Sequence, residues 1–125
     1  MAKHRISSGS PFEKTAGYSR AVVNGDRCHV AGTTGYDYAT MQIPDDVAAQ
    51  TRNALATVEA TLKEAGFALG DVVRARYVLK NADDVDAVFA VLGEVFGEVR
   101  PAATMIVADL IKPEIKFEVD VTVER

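Results

Sequence analysis

The sequence predicts an α+β fold: a mixed sheet with two helices packed on one of its faces. Three observations predict it. Residues 115–123 alternate Ile115, Phe117, Val119, Val121 and Val123 with Lys116, Glu118, Asp120 and Thr122, the period of two of a half-buried strand. Two longer stretches carry their apolar residues at helical spacing instead. One runs through Val47, Thr51, Leu55, Val58, Leu62 and Ala65, the other through Val85, Val88, Phe89, Leu92 and Phe96. Finally, Asn24-Gly25 between two short apolar runs marks a hairpin, because both residues accept positive φ.

The elements follow in order. His4-Arg5-Ile6 reads as a short strand, and residues 7–11 as a loop by their Ser, Gly and Pro content. Residues 18–23 and 27–32 pair as the hairpin strands, with Cys28 and Val30 on one face and His29 and Ala31 on the other. Pro44-Asp45-Asp46 opens the first long helix, where Pro and acids suit free N–H groups, and Gly66 ends it. After a connection over residues 68–71 comes a strand, with Val73, Ala75, Tyr77 and Leu79 on one face and Val72, Arg74, Arg76 and Val78 on the other. Asn81-Ala82-Asp83-Asp84 caps the second helix, Gly97 ends it, and residues 103–107 form the next strand. Two helices cover one side of such a sheet. The other side, mixing Val72, Val78 and Ile106 with charges, suits burial by further subunits.

Size and composition narrow the function. A chain of 125 residues, 48% apolar and 26% charged, is expected to form a single globular domain over residues 1–125. No apolar run approaches the roughly 20 residues of a membrane span and no signal-peptide core precedes the first strand, so a cytoplasmic protein without membrane contact is expected. Cys28 is alone and cannot form an internal disulfide. A net charge of −4 opposes nucleic-acid binding, which needs clustered Lys and Arg. Gly32-Thr33-Thr34-Gly35-Tyr36-Asp37 lacks the spacing of a phosphate loop. His4 and His29 lack partners at ligand spacing, and Asp83, Asp84 and Asp86 suit a helix start, so neither metal nor cofactor is expected.

The last quarter of the chain carries a resemblance. Pro101-Ala102, a strand, the turn Lys112-Pro113 and Lys116-Phe117-Glu118-Val119-Asp120 resemble the carboxy-terminal signature of the reactive intermediate deaminase (Rid, YjgF-type) family. The likeness continues through Gly17-Tyr18-Ser19-Arg20-Ala21, Val30-Ala31-Gly32-Thr33-Thr34-Gly35 and Gln50-Thr51-Arg52-Asn53-Ala54-Leu55, in the family's order over almost the whole chain. It implies a chorismate mutase-like fold, a homotrimer and small-molecule clefts between subunits. Family members that hydrolyse 2-imino or enamino acids hold the substrate carboxylate with an arginine two residues after that Pro and position water with a glutamate on the last strand. A tyrosine, a serine and an asparagine line their pocket.

Carried over position by position, the resemblance assigns catalytic roles to Tyr18 and Glu118. The arginine position holds Ala103, the serine position Ala31, the asparagine position Phe89, and a position often held by cysteine has Met105. A charge-assisted hydrogen bond is worth about 1.5–3 kcal/mol, so a chain without that arginine is expected to bind amino-acid-derived imines weakly. Three readings stay open. In the first, a divergent hydrolase uses Glu118 as proton acceptor, Tyr18 as donor and backbone N–H groups at Ala103, Thr104 and Met105 as oxyanion donors, with Arg74, Arg76 or Arg20 replacing the lost cation. In the second, Ala31, Gly32, Phe89, Ala103 and Met105 line a cleft that binds a small molecule without chemistry. Ribonuclease activity comes third, opposed by two distant histidines and the acidic balance. Glu118 and Asp120 on a solvated strand face would account equally for the alternation.

Overall fold

The computed structural model describes residues 3–125; Met1 and Ala2 lie outside it. Strands β1 (His4–Ile6), β2 (Ala21–Asn24), β3 (Arg27–Thr34), β4 (Val72–Leu79), β5 (Ala102–Val107) and β6 (Phe117–Glu124) alternate with helices α1 (Pro11–Ala16), α2 (Val47–Ala65) and α3 (Val85–Phe96). Among the described residues the six strands form one sheet in the order β1-β2-β3-β6-β4-β5. Among the described strands only β4 and β5 run parallel, joined across α3. The last strand therefore lies in the middle, antiparallel to β3 on one side and β4 on the other. Among the described residues no helix is long and apolar enough to cross a membrane.

The alternation in β6 does what its period requires. Ile115, Phe117, Val119, Val121 and Val123 are all buried, and the last four pack beneath α2 and α3 with Leu55, Val58, Leu62 and Val88. Asp46 caps α2, its carboxylate accepting from Ala49 N at 2.9 Å, and Gly66 closes it at φ 87°, where a side chain would be strained. The entry to β6 is tied to α2 through buried Gln50. Its amide nitrogen donates to the Pro44 and Glu114 carbonyls at 2.8 and 3.0 Å, and its oxygen accepts from Lys116 N at 2.9 Å.

Five expectations change. Residues 7–11 are not all loop: Ser10 accepts from Phe12 N and Pro11 takes the first helical position, which starts α1. Tyr18 precedes the hairpin strand, which begins at Ala21. In β4 a register shift against β6 between Val72 and Arg74 buries Val72 and leaves Val73 41% exposed, reversing the faces assigned to this pair. Among the described residues the Asn81 side chain makes no capping bond; a short 3₁₀ turn over Ala82–Asp84 leads into α3. In α3 the buried line is Val88, Val91 and Phe96, and Phe89, one step round the helix, is 55% exposed.

Gly35 is where β3 leaves the sheet under α2. A Cβ there would meet Gln50 Cα at 2.6 Å and its carbonyl oxygen at 2.9 Å, and helix backbone cannot step aside cheaply. Gly35→Ala is therefore expected to cost about 1–3 kcal/mol, read as a lower midpoint in denaturant with an unchanged slope. An unchanged midpoint would show that α2 does not lean on this glycine.

Candidate functional site

A bulge builds the site. From Val30 to Thr33, β3 spends three residue steps opposite the two from Val121 to Val119, so Ala31-Gly32 holds one extra residue. The bulge turns Thr33 into the core and leaves Gly32 beside Glu118, on the sheet face away from the helices. The Glu118 side chain lies across this glycine: a Cβ at Gly32 would sit 3.0 Å from its Cδ and 3.1 and 3.2 Å from its carboxylate oxygens. Around it Tyr18, Thr34, Tyr38, Phe12 and Ile111 enclose a cavity of about 40 Å³, enough for a water molecule by volume.

Among the described residues Glu118 has neither a hydrogen-bond nor an ion-pair partner, whereas its neighbour Asp120 is held by Arg76 Nε at 3.0 Å. Burial raises the Glu118 pKa above the ordinary carboxylate value. The Asp120 charge adds to the rise, and Arg20 and Arg76 oppose it. Burial likewise raises the Tyr18 phenol, which stays protonated and able to donate near neutral pH. Tyr36 donates to Glu114 at 2.6 Å, and burial with that bond pushes it up to about 12. Tyr38 receives the Thr34 backbone N–H at 2.9 Å, which ties the aromatic wall to the end of β3.

Of the residues singled out from sequence, Tyr18, Gly32 and Glu118 meet in this cavity. Ala31 lies on the other side of Tyr18, in a groove with Arg5, Val22 and His29. The 103–105 segment is elsewhere. Ala103 pairs with Ala75 and shares a groove of about 410 Å³ with Phe89, Tyr77 and Phe96 on the helix side of the sheet. Met105 pairs with Tyr77 and packs against the same core edge. Glu118 pairs with Val78, and Val78 with Ile106, so two strand spacings separate β6 from β5. Backbone N–H groups at Ala103, Thr104 and Met105 therefore cannot reach Glu118 of their own chain. Arg74 donates to the Thr104 hydroxyl at 3.2 Å and Arg76 is occupied by Asp120, so neither grips Glu118.

Arg20 is the residue whose environment sequence reasoning could not supply. It is 1% exposed, and its guanidinium lies 5.0 Å from the Tyr38 ring centre and 5.9 Å from that of Tyr18. One terminal nitrogen, Nη2, donates to the Gly32 carbonyl; Nε and Nη1 have no acceptor among the described residues. A buried cation pays a desolvation cost of several kcal/mol, and a desolvated cation–π contact returns about 2 kcal/mol. The only sequence signal is a fixed charge two residues after Tyr18, ahead of a strand that must bury its neighbour Ala21.

Fold and site together define a small α+β protein of the chorismate mutase-like type, with a bare acid on the sheet face opposite its helices. The Endoribonuclease L-PSP family model matches residues 9–125. The protein SCO2049 of Streptomyces coelicolor is 40% identical over 106 residues, covering 85% of this chain and 79% of its own. The 2-iminobutanoate/2-iminopropanoate deaminase of Escherichia coli K12 is 28% identical, covering 82% and 83%. Rv2704 of Mycobacterium tuberculosis, a YjgF/YER057c/UK114 family member of solved structure, superposes with a TM-score of 0.91 at 39% identity over 99% of this chain and 100% of its own. The chain belongs to this family, the YjgF-type reactive intermediate deaminases, as its sequence motifs implied.

Gly32→Ala tests the geometry of the acid. The added methyl is expected to push the carboxylate off β3 toward solvent, so that its titration, followed by carbon NMR, falls back toward the ordinary value of 4.5. Stability should move by less than about 1 kcal/mol, since the atoms that yield are the end of one side chain. An unmoved titration would show that Gly32 does not set the acid's position.

Proposed function

We propose that the chain hydrolyses the carbon–nitrogen double bond of a small imine or enamine-type metabolite, using Glu118 as the base. What carries this reading is Glu118 itself: a largely buried carboxylate without a partner among the described residues, beside a cavity large enough for water. Water adds through its oxygen to the imine carbon while Glu118 takes its proton. Tyr18 donates a hydrogen bond within the same cavity. Return of that proton to nitrogen gives a carbinolamine; Glu118 then takes the hydroxyl proton and passes it to the amine, so that the carbon–nitrogen bond breaks as the carbonyl forms and ammonia leaves, an enamine reacting as its imine tautomer.

The substrate differs from a standard 2-imino acid, because Ala103 provides no guanidinium for a carboxylate. The whole chain acts as one domain in a cytoplasmic homotrimer. There the Phe89 and Ala103 groove of one copy faces the Glu118 surface of the next, completing a cleft that one chain leaves in two halves. A second reading, small-molecule binding without chemistry, draws support from that groove, whose walls of Tyr77, Phe89, Leu92 and Phe96 suit an apolar ligand. Ribonuclease activity is disfavoured by placement: His4 pairs with Val23, opposite Cys28, while His29 pairs with Val22, so the two imidazoles belong to opposite faces.

Turnover of neutral and anionic imines by wild type, Glu118→Ala and Glu118→Gln decides between the first two readings. A hydrolase loses at least about a hundredfold in rate on losing its base; equal rates leave the binding reading. The pH profile should carry an acid limb above 4.5, since the raised group must ionise to act. Stability should show the opposite sign. A folded-state pKa above the unfolded one means that the native protein loses stability as pH rises from the unfolded pKa through the folded one. Glu118→Gln should therefore raise the melting temperature at neutral pH and leave it unchanged well below 4.5.

A further inference from the structure

A second cavity of about 410 Å³ lies on the helix side of the sheet, between the end of β1, the 36–38 turn and the outer surface of α2. Arg20 forms part of its wall, yet does not line the Glu118 cavity. Among the described residues no carboxylate comes within ion-pair reach of this buried guanidinium, and two of its nitrogens have no acceptor. Buried charges are normally paired, so an unpaired one bordering a cavity marks the place where a ligand would supply the anion.

We propose that this groove binds a small α-amino acid, its carboxylate directed to Arg20 and its ammonium to the acids at the mouth. Asp37 and Glu64, both exposed, line the same groove and supply negative charge away from the buried cation. A dianion would be repelled by them and a plain amine would leave Arg20 unanswered; a zwitterion matches both ends. Asn53 spends its amide nitrogen on the Gly35 carbonyl at 3.3 Å, and its side-chain oxygen is left to accept from an ammonium. Ile6, Ala56 and Ala60 give the groove an apolar strip for an aliphatic side chain. The volume lies in the range of small-molecule sites. This inference is independent of hydrolysis at Glu118.

Titration of the whole nitrogen-15-labelled chain with L-leucine, 4-methylpentanoate and 3-methylbutylamine tests it, since the last two each lack one charge. Leucine is expected to saturate, with shifts at Ser7, Ser8, Asn53 and Thr57, and each half-ligand to bind at least about tenfold more weakly. Arg20→Met should abolish the preference for leucine over the amine. Should that variant fail to fold, Ala60→Phe, which fills the groove from the exposed side of α2, should block leucine in a folded protein. Glu118→Ala should leave leucine binding intact. Absence of saturation, equal binding of 4-methylpentanoate, binding unaffected by Ala60→Phe, or loss on Glu118→Ala would each overturn the assignment.

Discussion

Strand β6 is bonded on both edges, to β3 and to β4, and this two-sided pairing is the constraint on which the rest of the molecule depends. A central strand has no freedom to slip, because a shift of one residue would carry Phe117, Val119, Val121 and Val123 out of the core together. Gln50 reinforces the register from α2 by holding the backbone just before the strand begins. Once β6 is set, Glu118 and Asp120 have a fixed place on the other face.

What distinguishes these two acids is the strand beside each. Asp120 stands opposite Arg76 and is neutralised across the sheet. Glu118 stands opposite the bulged end of β3, where Gly32 has no side chain to compete for the space and the aromatic residues close round it. The same bulge presents the Gly32 carbonyl to Arg20. A single extra residue thus produces an acid without a partner among the described residues and holds a buried cation close behind it, and each is electrostatically aware of the other without touching. Removing water from both groups strengthens whatever field a small polar ligand would feel there.

Legibility from sequence followed periodicity. The buried face of β6, the Asn-Gly hairpin and the span of α2 with its Asp46 cap and Gly66 stop could all be read, because each depends on neighbours within a turn or a strand pair. The β3 and β4 irregularities were invisible to strict alternation: an extra residue inverts a face without changing composition. Phe89 was grouped with the core of α3 because apolar character alone cannot tell a buried line from a residue one step off it, exposed at the helix edge. Tyr18, Gly32 and Glu118 line one cavity, whereas Ala103 lies in a separate groove and Met105 at the core edge, because β5 is two strands away from β6.

By itself the sequence determined the kind of elements, their order, the buried side of the last strand and the family, since these are stored in local spacing and in motifs. Tertiary structure alone decided which acid is left bare, which face Ala103 and Phe89 occupy, and that Arg20 is interred between two tyrosines. Partner and burial are properties of contacts between residues far apart in the chain, and no local pattern records them.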